Sequence, residues 1–115
     1  QPFILKLTSL NLTGELPLPK QLLISELWCR GNKLQSLPEL PASLTWLYCS
    51  GNQLQNLPEL PASLTRLYCH GNKLQSLPEL PASLAELWCN GNKLSKAAQA
   101  DIQAQQAKIG FNLTM

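Results

Sequence analysis

No apolar run in the 115-residue chain approaches the ~20 residues of a bilayer-spanning helix, and no membrane partner is expected. Charge is sparse: nine Lys and Arg stand against seven Asp and Glu, a net of +2. That balance gives no polyelectrolyte field of the kind nucleic acid would need, so nucleic acid is not expected as a partner either. Histidine occurs once, at His70, and no Cys-x-x-Cys pair occurs. A catalytic relay needs nucleophile and base within hydrogen-bond reach. A zinc site needs ligands that converge on one ion. Neither is signalled, so no enzyme activity, metal or cofactor is expected. The length suits one domain. The first residue is Gln1 rather than Met, which leads us to expect a trimmed N-terminus or a piece of a longer protein.

What the chain has is repetition. Leu44 to Ser63 reads LTWLYCSGNQLQNLPELPAS, and Leu64 to Ser83 reads LTRLYCHGNKLQSLPELPAS. Ile24 to Ser43 is close to both, and Leu84 restarts the unit as LAELWCNGNKL, a period of 20 residues. A unit this short cannot bury an apolar face alone, but stacked units can, and a solenoid follows.

The unit resembles a leucine-rich repeat. Leu44, Leu47, Cys49, Asn52 and Leu54 meet the pattern LxxLxLxxNxL, as do Leu64, Leu67, Cys69, Asn72 and Leu74. The tail Leu57-Pro58-Glu59-Leu60-Pro61 is similar to the bacterial effector subclass typified by the YopM and IpaH-like proteins. The resemblance covers about residues 24 to 94. It implies a solenoid with short parallel β-strands on a concave face and an extended, polyproline-like convex side. It further implies binding to a protein, in an effector delivered into a host cell. Ubiquitin-ligase activity in the IpaH-like relatives belongs to a separate domain with a Cys-x-Asp site. Each Cys here is followed by Arg-Gly, Ser-Gly, His-Gly or Asn-Gly, so that activity does not carry over.

Alternation along a strand assigns the faces. In the second unit the strand is expected at about residues 46 to 50, with Leu47 and Cys49 inward. Cys29, Cys49, Cys69 and Cys89 share one phase and are expected as reduced, buried thiols, which favours a reducing compartment: bacterial cytoplasm or, for an effector, host cytoplasm. Glycine suits the torsions that end the strand. Asn32, Asn52, Asn72 and Asn92 are expected to form a ladder that satisfies backbone groups at the bend. Pro58 and Pro61 keep the far side extended.

The ends depart from the period. Residues 1–23 read as a degenerate N-terminal turn, 24–94 as the repeats and 95–115 as a C-terminal helical cap. Phe3 to Leu7 is a candidate strand over the open core, Leu7, Leu10 and Leu12 imitate LxxLxL, and Gln21 to Ser25 carries extra residues. From Ser95 the composition favours a helix, with Ser95 as N-cap, Gly110 as its C-terminal stop and Ala98, Ile102 and Ile109 as the apolar stripe. The helix is expected to cover the exposed edge of the last turn, with Phe111 tucked beneath it.

The outward positions form three columns: Glu26, Trp46, Arg66, Glu86; Trp28, Tyr48, Tyr68, Trp88; and Arg30, Ser50, His70, Asn90. Every Trp and Tyr of the chain falls on this face. An exposed aromatic stripe of several hundred Å² is expected, at or above the largest patch of an ordinary monomer. Trp28, Trp46, Tyr48, Tyr68 and Trp88 are the expected anchors for a protein partner. Arg30, Arg66, His70, Glu26 and Glu86 are expected to tune specificity, with Arg66 pairing to a carboxylate. The alternatives are a self-associating homodimer, a carbohydrate-binding surface, or a stripe that only braces the strands.

Overall fold

The computed structural model describes residues 3–19 and 22–115. In chain order the elements are β1 (Phe3–Lys6), β2 (Thr13–Glu15), β3 (Ile24–Trp28), β4 (Lys33–Ser36), β5 (Trp46–Tyr48), β6 (Arg66–Tyr68), β7 (Glu86–Trp88), α1 (Lys96–Ile109) and β8 (Asn112–Thr114). Six strands form one parallel sheet in the order β1-β3-β5-β6-β7-β8, and β2 pairs with β4 in a small second sheet. The 20-residue period becomes register: Leu27, Leu47 and Leu67 stand opposite one another and opposite Leu87, all fully buried. Leu44, Leu54, Leu64 and Leu74 carry the same core around the turn. The prolines keep the far side free of helix and strand from residue 37 to residue 45 and in the turns that follow.

The strands are shorter than expected, ending at Tyr48 rather than at residue 50. Pairing itself continues, since Cys49 N–H donates to the Tyr68 carbonyl at 2.9 Å and Gly51 N–H to that of His70 at 3.1 Å. The bend comes from the asparagine. Asn52 Nδ2 donates to the carbonyls of Cys29 and Cys49, both at 3.1 Å, and its Oδ1 accepts from Leu34 N–H at 3.0 Å. Asn72 repeats this on Cys49, Cys69 and Leu54. At the same corner Gly51 has φ +66°, and a Cβ on Gly91 would lie 3.3 Å from the Gly71 nitrogen, so both torsion and close stacking select glycine. A second ladder, not anticipated, runs along the opposite corner. Ser63 Oγ donates to the carbonyls of Ala42 and Leu44, and Ser83 Oγ to those of Ala62 and Leu64.

The first turn differs from its expected phase. Leu5, not Leu10, stands opposite Leu27, and Leu7 takes the place of the cysteines, its carbonyl accepting from Asn32 Nδ2 at 2.8 Å. Leu10 is 54 % exposed. Asn32 Oδ1 accepts from both Leu10 and Leu12 N–H, and Ser9 and Asn11 adopt positive φ, so the chain between them loops outward. Part of the Gln21 to Ser25 expectation falls on residues outside those described.

The C-terminal helix forms where expected. Ser95 Oγ accepts from Ala98 N–H at 3.0 Å, and Gly110, at φ 91°, donates its N–H to the Gln106 carbonyl at 2.7 Å. Ile102 and Phe111 are buried, while Ala98 and Ile109 are half-buried. The sheet edge, however, is covered by β8 rather than by the helix. Leu113 continues the leucine column opposite Leu87, and Cys89 N–H donates to the Thr114 carbonyl at 2.8 Å. The helix replaces the far side of the last turn and returns the chain for one more strand.

All four cysteines are free and buried in one column. Burial pushes the Cys29 thiol up to about 12 and that of Cys89 to about 11 from an ordinary value of 9.0, and raises Cys49 and Cys69 as well. Folded thiols therefore keep protons that unfolded ones release. Stability is full below the unfolded value of 9.0 and falls as pH rises from there toward 11 to 12, because the unfolded chain then binds fewer protons. Urea midpoints should hold steady up to about pH 8.5 and decline above about pH 9.5. Thiol labelling should be slow in the native state and give four equivalents in denaturant without reductant. Cys49→Ser should cost about 1–3 kcal/mol, since it buries a hydroxyl in place of a thiol.

The asparagine ladder supplies a second expected outcome. Asn52→Ala strands the buried Leu34 N–H and removes one of the two asparagine donors from each of the Cys29 and Cys49 carbonyls, and should cost roughly 2–4 kcal/mol of unfolding free energy. Asn92→Ala, half-buried beside the cap, should cost less. Denaturant titration with an unchanged slope checks both, and equal effects would show that burial does not set the cost.

Candidate functional site

Strand register brings the outward columns together. Glu26, Trp46, Arg66 and Glu86 stand side by side across β3, β5, β6 and β7, and so do Trp28, Tyr48, Tyr68 and Trp88. Strand spacing near 4.8 Å falls within the centroid separations of offset aromatic stacks, so rings on adjacent strands can pack on one another. Ring centroids are 4.7 Å apart for Tyr48 and Tyr68 and 4.5 Å for Tyr68 and Trp88, with interplanar angles of 25° and 14°. Trp28 meets Tyr48 edge-on at 5.0 Å, and Trp46 leans on Tyr48 at 5.9 Å.

This packing corrects the expectation of an open aromatic stripe. Tyr48 is only 9 % exposed and Trp28, Trp46 and Tyr68 are half-buried, so among the column's rings Trp88 alone, at 37 %, is exposed. The inner rings, Tyr48 and Tyr68, spend their faces on their neighbours. Stacking of a sugar needs a free ring face, which the interior of the ladder does not offer.

The charged residues are engaged in the same way. Glu26 Oε1 accepts from Trp28 Nε1 at 2.8 Å, and Glu86 Oε1 accepts a short hydrogen bond from the Tyr68 hydroxyl. Burial, then that bond to Glu86, raises the Tyr68 hydroxyl to about 12. The Arg66 guanidinium lies over Trp46, 4.3 Å from its centroid, where pairing with a carboxylate was expected. Lys6, which the sequence did not single out, lies over Trp28 at 4.8 Å. Its signal was there in Phe3 to Leu7 as a strand: once β1 pairs with β3, Lys6 falls opposite Trp28.

The third column divides. Arg30 and Asn90 are exposed, Ser50 is buried and His70 is half-buried against Trp88, ring centroids 5.6 Å apart. His70 Nδ1 is buried without a hydrogen-bond partner, and burial together with the Arg30 charge lowers the imidazole below its ordinary 6.5. Cys69 points into the core on the other side of the strand, away from His70. Among the described residues, no group of three or more His, Cys, Asp or Glu is placed to hold a metal ion. The arrangement is a closely packed surface that mixes aromatic rings with charged and polar groups. On the opposite side, Glu39, Glu59 and Glu79 line a shallow groove between the proline turns, a column that the sequence reading passed over.

Comparison with known proteins agrees with this geometry. A family model for leucine-rich repeats, of two copies, matches residues 42–82. The solved structure of a Shigella effector LRR domain is similar at 39% identity and a TM-score of 0.74, covering 81% of this chain and 42% of that one. An LRR protein of Leptospira interrogans is similar at 27% identity and a TM-score of 0.64, covering 80% of this chain and 25% of that one. This chain thus matches less than half the length of either. A search of curated proteins gives no match. Parallel strands in 20-residue register, the asparagine corner and these likenesses lead to one conclusion: the chain belongs to the leucine-rich-repeat proteins, with repeats of the bacterial effector type.

Proposed function

We propose that the chain is a protein-binding module that holds its partner against the outward sheet face, as part of a bacterial effector. The observation that carries this reading is the gathering of all three Trp and both Tyr on one face, fixed by stacking and flanked by charge. Surfaces rich in Trp, Tyr and Arg on a rigid support are the usual material of binding hot spots. The likeness to a Shigella effector domain supports the effector role, and the buried free thiols suit a reducing compartment such as host cytoplasm. Burial divides the labour. Trp46, Arg66, Arg30 and Trp88 present surface to a partner, and Tyr48 braces the sheet beneath them.

The test compares binding with unfolding in the same variants. Trp46→Ser with Trp88→Ser should weaken capture of a host-cell protein by roughly 30-fold, about 2 kcal/mol, while the urea midpoint shifts little. Tyr48→Ser should lose about 2–3 kcal/mol of folding stability. Capture that survives the double substitution unchanged, with stability alone reduced, would leave the ladder as a brace and remove the proposed role.

A second copy of the chain is the alternative occupant, and one observation favours it at a different place. β1 is an edge strand of the sheet, and Phe3 and Ile4 on it are 47 % and 46 % exposed, with Leu10 and Leu23 exposed nearby. Open parallel edges with apolar side chains invite strand addition. Sedimentation velocity over a range of concentrations should then show a dimer that Ile4→Lys abolishes. A single monomeric species at every concentration excludes it.

A further inference from the structure

The three tryptophans of the outward face are not equivalent. Lys6 covers the indole of Trp28, and Arg66 covers that of Trp46, at 4.8 and 4.3 Å from the ring centroids. Trp88 carries no such cation among the described residues, and at 37 % it is the most exposed of the three. The reason lies in the register at the two ends of the aromatic column. Before Trp28 comes Lys6 of β1, whose ammonium caps the ladder. After Trp88 comes Thr114 of β8, too small to cover an indole. Trp88 is stacked on Tyr68 at 4.5 Å and meets His70 at 5.6 Å, both from the β6 side, while on the β8 side only Thr114 stands beside it, so the ladder ends there in an open ring face.

An aromatic face carries partial negative charge and attracts a cation above it. The chain supplies the matching cation itself at two tryptophans and leaves the third without one. We propose that the open face of Trp88 receives a cationic side chain, arginine by preference, from the bound protein partner. The inference rests on the reading of this sheet face as a protein-binding surface and adds the chemistry of one contact on it. Arginine fits better than lysine because its planar, weakly hydrated guanidinium stacks on an indole, as Arg66 already does on Trp46. A neutral sugar is the competing chemistry for an open ring face, but it brings no positive charge to the electron-rich ring.

The three indole N–H signals of the intact chain, followed by NMR, give the test with internal controls. The probes are N-acetylarginine amide, its isosteric neutral counterpart N-acetylcitrulline amide, and methyl glucoside. The Trp88 signal should shift saturably with the arginine probe, which should bind roughly two- to fivefold more tightly than the citrulline probe. Trp28 and Trp46, already covered, should stay in place. Arg66→Ala uncovers Trp46, whose signal should then respond to the arginine probe too. Equal responses to arginine and citrulline, a stronger response to the glucoside, or a Trp88 signal that does not move would overturn the proposal. Any of these with partner capture still dependent on Trp46 and Trp88 would leave the binding face standing and remove only its cation. Loss of that dependence with the arginine response intact would remove the binding face instead.

Discussion

Every turn of this solenoid must leave a strand and change direction inside the molecule without abandoning its amides and carbonyls. Asn32, Asn52, Asn72 and Asn92 meet that requirement, each tying its own turn to the one before. The rest depends on it. The glycine beside each asparagine can stack on its neighbour only because the corner repeats without drift, and the cysteines can share one buried column only because the strands stay in step. A buried amide that satisfies several backbone groups contributes more than a typical hydrogen bond, because its loss would strand an amide N–H and halve the donors at the carbonyls it shares with its neighbours.

The same constraint shapes the outer face. A strict period sets each outward side chain directly beside its counterpart, at a spacing that suits aromatic rings in stacks. A column of rings is therefore a cohesive object rather than a row of separate anchors. Tyr48 and Tyr68 belong to the framework, and the column keeps its surface at its ends and flanks, on Trp46, Arg66 and Trp88. Glu26 and Glu86 are drawn into the framework by aromatic donors, which leaves Arg30 as the exposed charge of the third column.

Much of this was legible in the chain. Leucine phase, cysteine burial, the asparagine corner and the caps at Ser95 and Gly110 follow from alternation, periodicity and local propensity, which act over short distances. The column memberships followed as well, since a fixed period translates directly into strand register. What escaped depended on non-local packing. How far a ring is exposed is decided by the ring on the next strand, so Tyr48 looked like an anchor and is nearly buried. The strand at Asn112–Thr114 is three residues long and outside the period, and only the helix that returns the chain places it beside β7. The phase of the first turn lies five residues earlier than the leucines suggest, because Ser9 and Asn11 take torsions that ordinary residues avoid. The serine corner was hidden because a hydroxyl in a proline-rich turn reads as solvent-facing until its acceptors are known.

The identical register of β5 and β6 has a consequence for how such a chain changes over time. Removing one whole unit, Leu44 to Ser63, would set Leu27 against Leu67 and Trp28 against Tyr68, restoring pairings of the kinds that were lost. Inserting a unit would do the same. Length is thus nearly decoupled from local structure, and whole turns can be gained or lost by recombination within the repeated coding sequence while both ends stay as they are. The breadth of the outer face then becomes a heritable variable, adjustable in steps of about 4.8 Å, one strand at a time.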